Sequence, residues 1–144
     1  MNLETVTATL RFPDTLVVEA DGDVYAICDS DGTYAQRPRN GWATVVTSDA
    51  HDTASDLDRP GVFRLNLGLP RERAAEVVGG RTDPAEHDLT ALDVLMPHPV
   101  YGAYGFVCVL NPDRTWSEVQ RLIDEAHAHA AAREGARRPR REGS

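Results

Sequence analysis

Thr115-Trp116-Ser117-Glu118 constrains this chain more than any other stretch, because it reads as a capping box. In such a box the Thr115 hydroxyl accepts from the Glu118 amide while Glu118 reaches back to the Thr115 amide. A helix is therefore predicted to start there. Trp116, Val119, Leu122, Ile123, Ala126 and Ala130 then recur at three- and four-residue spacing, which puts one apolar stripe on that helix. Glu118, Arg121, Asp124 and Glu125 fall mainly on the other side. Just before it, Phe106 to Leu110 is too short for a helix and ends in Asn111-Pro112, so it reads as a buried strand. A strand joined to an amphipathic helix by a short turn must lay that helix back on its sheet. The unit from His98 to Arg133 is thus the packing partner for everything that precedes it.

Upstream, Asn2 to Leu10 is predicted as a short helix with Leu3, Val6 and Leu10 on one side. Leu16 to Ala20 and Asp23 to Cys28, joined by Asp21-Gly22, form a hairpin signal. Asp29-Ser30-Asp31-Gly32 makes the next turn, and Trp42 to Thr47 a further strand. Val62 to Leu67 alternates, with Phe63, Leu65 and Leu67 on one face and Arg64 and Asn66 on the other. Pro70 is expected at N1 of a helix that Gly79-Gly80 closes. Leu89 to Met96 is expected as a strand that pairs with Phe106 to Leu110 across the His98 to Tyr104 loop. Strand connections this short exclude most parallel crossovers. The expectation is an α+β domain: an antiparallel sheet of about five to six strands, helices on one face and a long C-terminal helix. Residues 1–133 form that single domain, and 134–144, rich in arginine and poor in apolar residues, are expected to be a disordered tail.

A chain of 144 residues buries roughly 70% of its unfolded surface, so its core needs neither metal nor disulfide. The two cysteines, Cys28 and Cys108, sit in separate apolar runs and read as buried reduced thiols. No apolar run is long enough for a membrane helix and no signal-peptide pattern opens the chain, which gives a cytoplasmic expectation. The net charge is -8 and every basic residue is an arginine. Five of those arginines lie beyond Ala132, so the body is more acidic than the whole and repels phosphate backbones. A nucleic-acid-binding accessory role would have to rest on the tail.

Asp52-Thr53-Ala54-Ser55-Asp56-Leu57-Asp58-Arg59-Pro60-Gly61-Val62-Phe63-Arg64-Leu65-Asn66, followed by His98-Pro99-Val100-Tyr101-Gly102, resembles a family of small actinobacterial proteins of unknown function. A fainter similarity is to small α+β proteins of the MmcQ/YjbR type. The resemblance implies a fold and carries no activity or cofactor.

Candidate chemistry is sparse. With Gly32 at position six of a calcium loop, Ile27 and Pro38 would occupy its first and last ligand positions, so that assignment fails. No nucleophile elbow, phosphate loop or dinucleotide glycine pattern is present. His127 and His129 diverge on their helix, and a metal site would have to be assembled from distant groups such as His51, Asp52 and His98. A cluster remains: Arg59, Arg64 and Asn66 on or beside one strand, His98 and Tyr101 in a loop beside another. A guanidinium fork and an amide on a concave sheet face would suit a small anion, with His98 and Tyr101 at the rim. The plainer expectation is that Arg59 pairs with Asp56 or Asp58, Arg64 pairs across strands and His98 orders a Pro-rich turn. The first expectation is a non-catalytic module for a small anion or a protein partner; its rival is an enzyme using His98 with Asp52 as an acid/base pair.

Overall fold

The structure, a computed structural model, describes residues 1–137. Helix α1 (Leu3–Ala8) is capped by the Asn2 side chain, which accepts from the Thr5 amide. Six strands follow in one antiparallel sheet: β1 (Thr15–Ala20), β2 (Asp23–Cys28), β3 (Ala43–Val46), β4 (Arg64–Gly68), β5 (Met96–Pro97) and β6 (Phe106–Leu110), in the spatial order β1-β2-β3-β4-β6-β5. Helix α2 (Arg71–Val77) lies between β4 and β5, and α3 (Trp116–Arg137) ends the described chain. The β1–β2 turn works because Asp21 and Gly22 both take positive φ, 53° and 84°, the twist a two-residue hairpin requires.

Strand alternation decides which side is core. Val24, Ala26, Ala43, Val45, Leu65, Leu67, Val107 and Val109 all point to one face, where Val6 of α1, Leu10 just after it, Ala74 of α2 and Trp116, Val119, Leu122, Ile123 and Ala126 of α3 cover them. The helices are thus gathered on one side, as the α+β pattern requires. The opposite face carries a smaller apolar cluster, Val46, Leu57, Met96, Cys108 and Leu110, and beside it the polar side chains Asn66 and Arg64.

Four details differ from the sequence expectation. The Thr115 hydroxyl does not close a capping box; it donates to Asp93 Oδ1 at 2.6 Å, and the amides of Asp113, Arg114 and Thr115 also donate to the Asp93 carboxylate. A full negative charge at a helix N-terminus is a better acceptor than a hydroxyl. Burial would raise the Asp93 pKa, yet these four hydrogen bonds outweigh it and hold the group at about 2. The same residue limits the strand expected over 89–96: Asp93 adopts φ 60°, only Met96–Pro97 pairs with β6, and Leu92 makes a single bridge to Leu110. Pro70 is the N-cap of α2, not its first helical residue. Finally, α3 runs to Arg137, past the boundary expected at Arg133, because Glu134 is buried and paired with Arg37 and Arg39. Residues 138–144, the rest of the arginine-rich tail, lie outside the described residues.

The β5–β6 loop needs Gly105 at its end. With φ 93°, a Cβ there would lie 2.3 Å from the Leu69 carbonyl oxygen, so no other residue fits without moving the chain. No helix among the described residues is long and apolar enough to cross a membrane.

Candidate functional site

Arg64 is among the most buried side chains of the molecule, 1% exposed. A guanidinium out of water must satisfy its whole fork, and this one nearly does. Its Nη1 and Nη2 donate to Asp52 Oδ1 and Oδ2 at 3.0 and 2.7 Å, Nη1 also donates to Ser55 Oγ at 2.9 Å, and Nε donates to Asn66 Oδ1 at 3.0 Å. Asn66 in turn donates to Thr44 Oγ1 at 2.8 Å. The Arg64 hydrogen bond holds the Asp52 carboxyl below its usual value, against an opposing effect of burial.

Arg59 does not reach this network. Its guanidinium donates to the carbonyls of Asp56, Ser55 and Thr90, and so braces from outside the loop whose Ser55 hydroxyl meets Arg64 from inside. The run from Asp52 to Asn66 is therefore a folded-back loop and strand tied by two arginines, one per side.

His98 is also buried, 4% exposed, and its Nδ1 accepts from the amides of Val100 and Tyr101 at 3.0 and 2.9 Å. Two amides on one nitrogen leave that nitrogen no proton, so in the neutral ring the hydrogen sits on Nε2. Burial, reinforced by the Arg64 charge and opposed by Asp52, lowers the His98 pKa to about 4. At neutral pH His98 is thus an uncharged hydrogen-bond donor. Its Nε2 lies 3.5 Å from Arg64 Nη2. With the ring hydrogen on Nε2 both are donors, so they do not satisfy each other.

Above this floor lies a cleft of about 620 Å³ between the sheet face, the 34–41 segment and the His98 loop. Tyr25, Ile27, Tyr34, Val100, Tyr101 and Phe106 supply apolar walls; Asp52, Arg64, Asn66 and His98 are among its polar side chains, with Thr44, His51, Arg39 and Asn40 around them. A volume in the range of several hundred cubic ångströms with few convergent polar groups is the usual form of a small-molecule site. The 34–41 wall is tied down where Arg39, 9% exposed in its side chain, donates to Asp29 Oδ1 at 2.6 Å and to the Cys28 carbonyl.

Four of the five residues singled out from sequence, Arg64, Asn66, His98 and Tyr101, therefore meet at one cleft, and Arg59 stands behind it. The two sequence stretches that carried the family resemblance meet there too, at the Arg64–His98 contact. The acid/base pair of His98 with Asp52 is not joined by a hydrogen bond, since Arg64 occupies Asp52. Nor do His51, Asp52 and His98 assemble as ligands: among the described residues no three His, Cys, Asp or Glu side chains could hold a metal ion. His51 turns instead to Asp23, with Nε2 and Oδ2 2.9 Å apart. Sequence reasoning missed Tyr25, Tyr34 and Phe106 on the cleft walls and Asp23 behind His51; for Asp23 and Tyr25 the face parity that β2 shares with β4 was the available signal, while Tyr34 lies in a turn that no periodicity places. Both cysteines are free and buried, and burial pushes the Cys108 thiol up to about 12, beside Arg64 but inert.

Residues 1–140 match the model of a family described as "Family of unknown function (DUF6194)". Neither the curated proteins nor the solved structures contain a significant match.

Proposed function

The chain belongs to that family of unknown function, and because membership brings no activity with it, we propose that it is a small-molecule-binding domain whose ligand occupies the His98–Arg64 cleft. The observation that carries this is two buried N–H donors side by side, His98 Nε2 and Arg64 Nη2, 3.5 Å apart and without an acceptor between them, on the floor of a cleft with aromatic walls. The ligand places an acceptor oxygen, a carbonyl or a carboxylate, against these donors and its apolar body against the cleft side of the Tyr101 and Phe106 rings, which pack edge to face on each other at 6.2 Å. Asp52 already offsets the Arg64 charge, so a singly charged or neutral ligand suits the floor better than a phosphate.

A thermal-shift panel of benzoate, acetophenone, inorganic phosphate, divalent metal ions and nucleotides tests the proposal. Benzoate or acetophenone is expected to raise Tm with concentration, by an amount equal to about 2.7 kcal/mol at one hundred times Kd. Tyr101→Ala, at a half-exposed position that should not disturb folding, is expected to weaken that effect. A response to phosphate, metal ions or nucleotides alone would contradict it.

A further inference from the structure

Asp23 is 2% exposed, and each of its oxygens is used. Oδ1 accepts from the Thr47 amide and hydroxyl at 2.9 and 3.1 Å, and Oδ2 faces His51 Nε2 at 2.9 Å. A buried carboxylate at that distance requires the hydrogen on Nε2, which leaves Nδ1 as the lone-pair nitrogen of the neutral His51 ring. No hydrogen bond engages Nδ1 among the described residues, and the His51 side chain is half exposed on the wall of the cleft. The Tyr25 hydroxyl lies 3.3 Å from the same Nε2, and burial together with Asp23 and Asp21 raises its pKa, so it stays protonated.

Chain connectivity fixes where this pair sits. His51 and Asp52 are consecutive, so their Cα atoms are about 3.8 Å apart. One side chain is anchored on Asp23 and the next on Arg64. A histidine oriented by a buried carboxylate therefore adjoins Asp52, the residue that holds Arg64, and lines the same cleft as the two N–H donors.

We infer that the cleft catalyses proton transfer at the carbon next to a carbonyl, with His51 as the base and the His98 and Arg64 N–H groups holding the carbonyl oxygen. This rests on the binding proposal above and extends it to a reaction. His51 Nδ1 takes the proton from the α-carbon. The C–H electron pair becomes the C=C bond, and the carbonyl π pair moves to oxygen, where the two donors stabilise the enolate. Return of the proton from His51 to carbon, or its delivery to another position of the enolate, completes the cycle without a co-reactant. Asp23 is the positioning residue, fixing the tautomer and the angle of the ring.

Exchange of α-hydrogens for deuterium in phenylacetone and acetophenone, followed by proton NMR in D2O, tests this, with saturation-transfer NMR reporting binding of the same probes. Exchange is expected to exceed the buffer rate, to fall about 100-fold or more in His51→Gln, and to leave binding by that variant intact. Asp23→Asn is expected to lower kcat with KM unchanged. Binding of both probes with exchange at the buffer rate, or exchange unaltered in His51→Gln, overturns the inference while the binding proposal stands. Failure of phenylacetone, acetophenone and benzoate alike to bind overturns both.

Discussion

Replacing Asp52 with alanine should be among the most damaging single changes outside the main core. The substitution leaves a guanidinium that is 1% exposed without its carboxylate and strips the acceptor from two short hydrogen bonds of 3.0 and 2.7 Å. Breaking a buried ion pair in this way costs about 3–5 kcal/mol, because the remaining charge stays out of water uncompensated. For a domain of this length that corresponds to a fall in Tm of roughly 6–20 °C. Urea titration of wild type, Asp52→Ala, Arg64→Met and the double variant isolates the pair. The double variant should lose less than the sum of the singles, with a coupling of about 2–3 kcal/mol. The same series carries a pH signature. The folded Asp52 pKa lies below its ordinary 3.8, so the pair's stabilisation is complete above that value and is lost as pH falls through the folded pKa. The gap between wild type and Asp52→Ala should therefore narrow on acidification. A cost under about 1 kcal/mol, or additivity of the two substitutions, would refute the claim that this guanidinium is held by Asp52 in a closed site.

Two further outcomes follow from the same geometry. Asp93→Ala removes the acceptor of three amides and a hydroxyl at the start of α3 and should cost about 1–2 kcal/mol in urea titration, with Asp93→Asn losing less. His98 has a folded pKa of about 4 against an ordinary 6.5, so the unfolded chain binds the extra proton first as pH falls. Stability supplied by neutral His98 is full above about pH 6.5 and lost towards pH 4, on the order of 3 kcal/mol; His98→Phe should flatten that slope in denaturation curves taken across the interval.

The architecture was legible because its evidence is periodic. The Trp116 to Ala130 stripe and the Phe63, Leu65, Leu67 alternation state which face is buried, and Asp21-Gly22 states where the chain reverses. The capping box misled for a reason sequence does not display: Asp93, twenty-two residues earlier, competes with Thr115 for the same helix end. Leu89 to Met96 looked like a strand because its composition is apolar, yet Leu92 and Val94 are 47% and 44% exposed and the chain there is bent to present Asp93. At the site, residue types and face parity placed Arg64 and Asn66 together, and the loop leading into the Phe106 strand added His98 and Tyr101. The partners could not be read. Asp52 was a candidate for His98 and belongs to Arg64, while His51 finds Asp23, twenty-eight residues earlier, only once β2 and β3 have paired. Pairing between distant side chains is a product of tertiary geometry, which spacing along one strand does not encode.

The arrangement of donors at the cleft floor is tested most directly by the protonation state of one ring. Long-range 1H–15N NMR of the histidine side chains, recorded from pH 7.5 to pH 4, reports which nitrogen of His98 carries hydrogen. A neutral ring protonated on Nε2, unchanged down to about pH 5, with its Nε2 resonance moving on addition of benzoate or acetophenone, is the expected result. An Nδ1-protonated ring, or an imidazolium at neutral pH, would remove the donor on which the proposed ligand depends.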